Sequence, residues 1–192
     1  MAITTSKPPV GGNTALTAAV EHLMGPTDSG APVAGANPRE AAQPVPLFSV
    51  RLENAADDQF MYHAQPTGWR YLIFGNGPLA IADVREKVRG APPVFSQLIR
   101  GALAERMAQA VELAAHEYQD ASESYEARVL EVPALPVVAF WLHGVRDVFY
   151  PLLLGPDVAK LKVQEDTSFV AKVTALAKVR LERQQIDRLQ PR

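Results

Sequence analysis

Short apolar segments separated by glycine and proline turns dominate positions 47–154 of this chain, and they constrain its fold more than any other feature. Apolar and polar residues alternate in 47–53 and 125–132, whereas 69–74 and 137–142 are continuous apolar and aromatic runs. Both patterns are typical of β-strands. Because turns rather than helices separate several of these segments, we expect a mainly antiparallel sheet.

Two further segments in this region carry mixed signals. Residues 79–85 follow a glycine-rich turn and predict the returning strand of a hairpin. Apolar residues at every fourth position of 79–88 also fit a helix, so strand and helix both remain open. Residues 148–154 predict a last strand, which Pro151 should shorten or confine to an edge because proline has no N–H to donate.

Residues 94–119 predict one long central helix, because their apolar side chains form a single wide stripe that could cover a face of the sheet. Gly101 is its weak point, since glycine costs about 1 kcal/mol relative to alanine inside a helix. A C-terminal helix is predicted over 167–188. The expected fold class is α+β: a mainly antiparallel sheet packed by one long central helix, with a C-terminal helix and a flexible N-terminal arm. The second face of the sheet must be covered by the C-terminal helix, by a partner or by curvature.

The chain is predicted to divide into a flexible arm, residues 1–46, and a single α+β domain, residues 47–192, that includes the C-terminal helix. The arm contains a short amphipathic helix over 13–24. A linker rich in proline, glycine and alanine follows over 25–46, and such a stretch buries too little apolar surface to offset its ordering entropy.

The apolar face of the arm helix is a predicted contact surface, because it is not stable in water alone. Docking on its own domain or simple disorder is the common behaviour of such a segment. The more informative alternative is docking on a protein partner or a neighbouring subunit. The residues predicted to bind a partner in this way are Leu16, Val20 and Leu23.

Composition excludes several classes of function. The chain has no cysteine, which excludes disulfide scaffolds, thiolate metal sites and cysteine nucleophiles. Its net charge of −2 provides no general attraction for nucleic acid or an anionic membrane. No unbroken apolar run approaches the about 20 residues needed to cross a bilayer. By default we expect a cytoplasmic protein, and the alanine, valine, proline and arginine usage suggests a bacterial one.

Residues 75–80 match the G-x-G-x-x-A form of a dinucleotide-binding fingerprint. Pro78 removes one of the N–H groups that such a site needs, and no acidic residue ends a second parallel strand about 20 residues later. A hairpin turn explains the same residues better. The four histidines form no H-E-x-x-H pattern, so we predict no metal and no cofactor.

The densest polar group near aromatic residues is at His143, Asp147 and Tyr150, and these are the weak catalytic candidates. A histidine beside an aspartate could act as an acid–base pair. Ordinary turn charges explain them equally well, and no G-x-S-x-G elbow supplies a nucleophile. The basic residues of 172–192 are interleaved with acids, which disfavours a nucleic-acid surface.

We therefore expect a non-enzymatic protein-interaction or scaffold module, a subunit of a homo-oligomer or of a larger assembly. The alternative is a small-molecule-binding domain or hydrolase whose site contains His143, Asp147 and Tyr150.

Overall fold

The computed structural model describes residues 3–7, 10–23, 44–75, 77–86, 91–155 and 161–189. No helix within these ranges is long and apolar enough to span a membrane. A 3-10 turn occupies Phe60–His63. The remaining elements of the described ranges are β1 (Ile3–Thr4), α1 (Gly12–Leu23), β2 (Val45–Ser49), α2 (Leu52–Ala55), β3 (Gln65–Gly75), β4 (Gly77–Arg85), β5 (Val94–Arg100), α3 (Ala102–Glu117), β6 (Tyr125–Val132), β7 (Val137–His143), β8 (Val148–Leu154), β9 (Gln164–Glu165) and α4 (Asp166–Leu189).

The nine strands of the described residues form one sheet in the order β5-β4-β3-β2-β6-β7-β8-β9, and β1 also pairs with β6. Neighbours are antiparallel except at β6, which runs parallel to both β2 and β1. The fold is therefore α+β with a mainly antiparallel sheet, as the turn-separated strand patterns predicted.

The prediction of one long helix over 94–119 is wrong in its first part. Residues Val94–Arg100 form strand β5, which pairs antiparallel with β4, and helix α3 begins only at Ala102. Gly101 has a φ of +79°, which lies outside the right-handed helical region and ends the strand with a sharp change of direction. The apolar residues of β5 happen to have the same spacing as those of α3. Periodicity alone therefore did not show that the strand and the helix are separate elements.

Residues 79–85, for which the sequence left strand and helix open, form a strand. Residues 77–85 form β4, the returning strand of a hairpin with β3, so the helix reading of 79–88 is wrong over the described part. Residues 54–68 contain the end of α2, the 3-10 turn and the start of β3. The predicted C-terminal helix is confirmed as α4.

The predicted arm contributes strand β1 and the first two residues of β2 to the sheet. β1 pairs with the start of β6, and α1 contacts β4 and β5. Most of the linker predicted over 25–46, residues 25–43, lies outside the described residues. Near the other end of the chain, the helical turn predicted over 157–163 also lies partly outside them, and 161–163 is not helical.

Helix α3 covers the first face of the sheet. It contacts β3, β4 and β5 as well as β7 and β8, so the sheet curves around it. Arg106 Nη1 donates a hydrogen bond of 2.8 Å to the carbonyl oxygen of Leu152 on β8. Three of the four buried residues of the helix are alanines, which let it approach the strands closely, and the buried set is Ala104, Met107, Ala110 and Ala114.

The second face is covered by the chain's own helices in two places. Phe169 of α4 stacks on Phe149 of β8 with ring centroids 4.2 Å apart, and α2 lies beside it. Leu16 of α1 covers the apolar side of β3 and β4. Of the three coverings that the sequence left open, the C-terminal helix and curvature are both used.

Candidate functional site

Two of the three catalytic candidates lie together between β7 and β8. His143 Nδ1 is 2.8 Å from Oδ1 of Asp147, and the side chains are 41% and 19% exposed. The imidazole packs edge-on against Trp141, with ring centroids 5.0 Å apart. Burial and the nearby Asp147 raise the pKa of Asp166, the first residue of α4. A histidine–aspartate pair can hold a proton, and nucleophilic catalysis would also need a hydroxyl within its reach.

Tyr150, the third candidate, lies on the opposite face of the sheet. It is 1% exposed within the core around α3, and its hydroxyl donates a hydrogen bond to Glu117. Burial and this carboxylate raise the pKa of Tyr150 far above its usual range, so the phenol stays protonated. The structure therefore brings His143 and Asp147 together and separates Tyr150 from them by the sheet.

Arg128 lies close to the His143–Asp147 pair, between two aromatic rings. Its guanidinium carbon is 4.7 Å from the ring centre of Phe48 and 4.8 Å from that of Trp141. Its Nε also donates a 2.8 Å hydrogen bond to Glu126. Cation–π contact and ion pairing both fix this side chain, so we assign it to packing rather than to ligand binding.

A buried ionic network joins β3, β4, β5 and β6. Arg70 donates two hydrogen bonds to Asp83, at 2.7 and 2.8 Å, and Gln97 donates a third at 2.6 Å. Glu131 lies 3.7 Å from Arg70 and accepts a 2.6 Å bond from Arg85. Two cations and two carboxylates balance one another. Arg70 and Asp83 are 1% and 0% exposed, so a dissolved ligand does not reach them.

The arm helix places its first predicted contact residue inside this chain's own core. Leu16 is 2% exposed and packs on Tyr71, Ile73 and Ala82. It is therefore not available to a partner while α1 is docked, because the apolar side of β3 and β4 needs a cover. The structure does not describe the side chains of Val20 and Leu23.

Strand β5 is an edge of the described sheet, with β4 on one side only. None of its seven residues is fully buried, and its half-buried apolar side chains include Phe95, Leu98 and Ile99. It contains no proline and no lysine, and its single charge is Arg100 at the end. A bulge at Ser96 is the one feature that could discourage pairing, and it leaves Gln97–Arg100 regular.

The other edge of the sheet is protected. β9 pairs with Val148 and Phe149 of β8, and Pro151 lies in the part of β8 beyond this pairing. Proline cannot donate a hydrogen bond to an added strand. The two edges therefore differ: within the part of the chain that the structure describes, β5 presents a regular backbone to an incoming strand and the β8–β9 edge does not.

A cavity of about 620 Å³ lies between β1, the sheet and the second half of α3. Ile3 forms part of one wall, Met107 of another, and Leu72 and Phe140 contribute from the strands. The chain is cysteine-free, and the described residues form no cluster of histidine and carboxylate side chains suited to a metal.

Comparison with known proteins identifies no relative: no protein-family model, no curated protein and no solved structure matches this chain significantly.

The sequence analysis missed both the edge strand and the cavity. The available signal for the edge was the aromatic and β-branched content of Val94, Phe95 and Ile99 immediately before Gly101. No sequence signal pointed to the cavity, because it depends on the pairing of the two-residue strand β1 with β6.

Proposed function

We propose that this chain is a non-enzymatic protein-interaction module that forms a homo-oligomer by pairing β5 with β5 of a second copy. The observation that carries the proposal is the unprotected edge of β5, with half-buried apolar side chains on a regular backbone. An edge of this kind is a template for an added strand. A symmetric pair of identical edges closes a dimer and leaves the protected β8 edges outside.

The side chains of β5 favour an antiparallel pairing centred on Leu98. Leu98 then faces its own copy, and Gln97 faces Ile99 of the second chain. Arg100 faces Ser96, so the two arginines lie about 14 Å apart, four residues along an extended strand. This register pairs Leu98 with its own copy at the centre and avoids opposing like charges.

The arm helix borders the proposed interface, because α1 contacts β4 and β5. Val20 and Leu23 remain predicted partner contacts on this helix, whereas Leu16 packs it against β3 and β4. Assembly into a larger complex, a cytoplasmic location and a bacterial origin also remain predictions.

The alternative function, a small-molecule-binding domain or hydrolase using His143, Asp147 and Tyr150, has less support. The first two residues form a pair at a partly exposed corner, and Tyr150 is buried on the other face. An acid–base site needs its groups around one reacting atom.

Charge changes at Ser96 test the proposed interface, since this residue is exposed and should face Arg100 of the second copy. We expect the wild-type chain to sediment at twice its 20.8 kDa mass. Ser96→Lys should weaken the dimer by opposing Arg100 with a like charge, and Ser96→Glu should strengthen it. Each cross-strand pair is worth roughly 0.2–1 kcal/mol, and the dimer contains two. The dissociation constant should therefore change by about 2- to 30-fold, upward for Ser96→Lys and downward for Ser96→Glu.

The matched controls are Ser122→Lys and Ser122→Glu, which change the same residue type at an exposed position in the loop after α3. Neither should alter the mass. A wild-type chain that stays monomeric at high concentration would overturn the proposal. So would a dimer that responds equally to the two charges at Ser96.

A further inference from the structure

We infer that the cavity between β1, the sheet and α3 binds a small uncharged molecule with an apolar body, such as an alkyl chain or aromatic ring bearing a neutral polar end. This site is separate from the proposed β5 interface.

The size of the cavity fits a ligand of this kind. Its volume of about 620 Å³ lies within the range of roughly 300–1,000 Å³ that is usual for small-molecule sites. If each group takes up about the 30 Å³ share of a liquid water, the cavity holds on the order of 20 non-hydrogen atoms. Three elements border it and one side is open to solvent, so a ligand would be partly shielded from water.

The chemistry of the walls determines the ligand class. Leu72, Phe74, Met107 and Phe140 supply apolar surface, and no charged side chain is among the described residues that line the cavity. Burying an ionised group there would carry a desolvation cost with no counter-charge to offset it. An apolar body gains about 25 cal/mol for each Å² removed from water.

Polar groups lie on the side where the cavity meets the surface. Thr4 and Gln119 are exposed and contribute to the lining, and the phenol of Tyr118 lies beside them. The Gln119 amide can hydrogen bond to a neutral hydroxyl or carbonyl, and the Thr4 hydroxyl, whose proton goes to Tyr125, can accept a bond from a ligand hydroxyl. The ligand should therefore place its polar end beside Thr4 and Gln119 and its apolar body against Met107.

The N-terminal strand forms a removable wall of this site. β1 pairs with β6 through two residues, Ile3 and Thr4, and the Thr4 hydroxyl donates a 3.1 Å bond to the carbonyl oxygen of Tyr125. The Ser6 hydroxyl adds a hydrogen bond to Glu126. An element held by so few contacts opens at low free-energy cost, which would let a ligand enter.

A fluorescence titration of the full chain with N-phenyl-1-naphthylamine, an uncharged aromatic probe, tests this inference. We expect saturable binding of one probe per chain, with competition by 1-decanol. Decanoate has a similar apolar chain but a charged end, and it should compete at least tenfold more weakly. The absence of saturable binding, or displacement by decanoate at equal or lower concentration, would overturn the inference.

Filling the cavity locates the bound probe. Ala115 is an exposed lining residue of α3, and Ala115→Trp should lower probe affinity at least tenfold without unfolding the chain. Ala175→Trp, at an exposed position on α4, is the matched control and should bind as the wild type does. Thermal unfolding confirms that both variants are folded. Equal affinity of the two folded variants would place the probe elsewhere and refute the site.

Discussion

Replacement of Asp83 by asparagine should destabilise the chain by about 3 kcal/mol, because it removes the carboxylate that neutralises a buried guanidinium. Arg70 is 1% exposed and Asp83 is fully buried, so water cannot solvate the guanidinium that loses its partner. Breaking a buried ion pair from one side typically costs about 3–5 kcal/mol. We expect the lower end because Glu131, 3.7 Å from Arg70, still offsets part of its charge.

Urea unfolding followed by tryptophan fluorescence measures this loss, with an unchanged slope showing that the same surface is exposed on unfolding. The double variant Arg70→Met and Asp83→Leu removes both charges and should recover stability to within about 1 kcal/mol of the wild type. Arg85→Ala is the milder control. Its side chain is 28% exposed, and loss of such a pair should cost roughly 1 kcal/mol or less.

The reasoning is refuted if Asp83→Asn unfolds at the same urea concentration as Arg85→Ala. It is also refuted if the double variant is as unstable as Asp83→Asn, since the loss would then come from packing rather than from an unpaired charge.

Two further predictions concern the N-terminal elements. Leu16→Ala should cost about 2–3 kcal/mol and release α1 from β3 and β4. Amide exchange should then become faster in α1 and stay unchanged in α3. The same change of exchange rate in both helices would contradict this prediction. Burial opposes ionisation of Glu126, but hydrogen bonds from Ser6 and Arg128 outweigh it and lower the pKa of this carboxyl below its ordinary 4.5. A lowered pKa stabilises the fold fully above that value and loses the effect as pH falls through the folded-state pKa. The protection of the β1 amides, relative to the intrinsic exchange rate at each pH, should therefore fall in acid in the wild type and change less in Glu126→Gln. Identical protection profiles for the two chains would contradict this.

The antiparallel sheet could be predicted from the sequence because alternation is a local property. Residues 125–132 and 137–142 form β6 and β7 close to their expected bounds, since each apolar side chain faces a core that the pattern implies. Pro151 was expected to confine its strand to an edge because proline has no N–H to donate. It lies in the part of β8 that β9 does not pair with.

The long helix was wrong because period-four spacing does not distinguish a helix from a strand followed by a helix. Phe95 and Leu98 pack beside α1 rather than α3, and only the turn at Gly101 separates the two elements. The unprotected edge was hidden by the same error.

The remaining parts of the site depend on strand order, which alternation does not specify. Arg70 and Asp83 lie inside apolar strand patterns, and only the pairing of β3 with β4 shows that they neutralise each other. Tyr150 was grouped with His143 because the two are close in sequence. Side chains alternate along β8, so Tyr150 faces the core around α3 while Phe149 beside it faces the side where Trp141 and His143 of β7 lie.

Oxidation of single-cysteine variants tests the β5 interface most directly, because the natural chain contains no cysteine. At the proposed centre of the pairing, two copies of residue 98 have Cα atoms about 4.5–5.5 Å apart, a separation that suits a disulfide. Leu98→Cys should form a disulfide-linked dimer rapidly under mild oxidation. Leu113→Cys, a partly exposed leucine on α3, should form it slowly. Equal rates for the two variants would contradict the proposed assembly through β5.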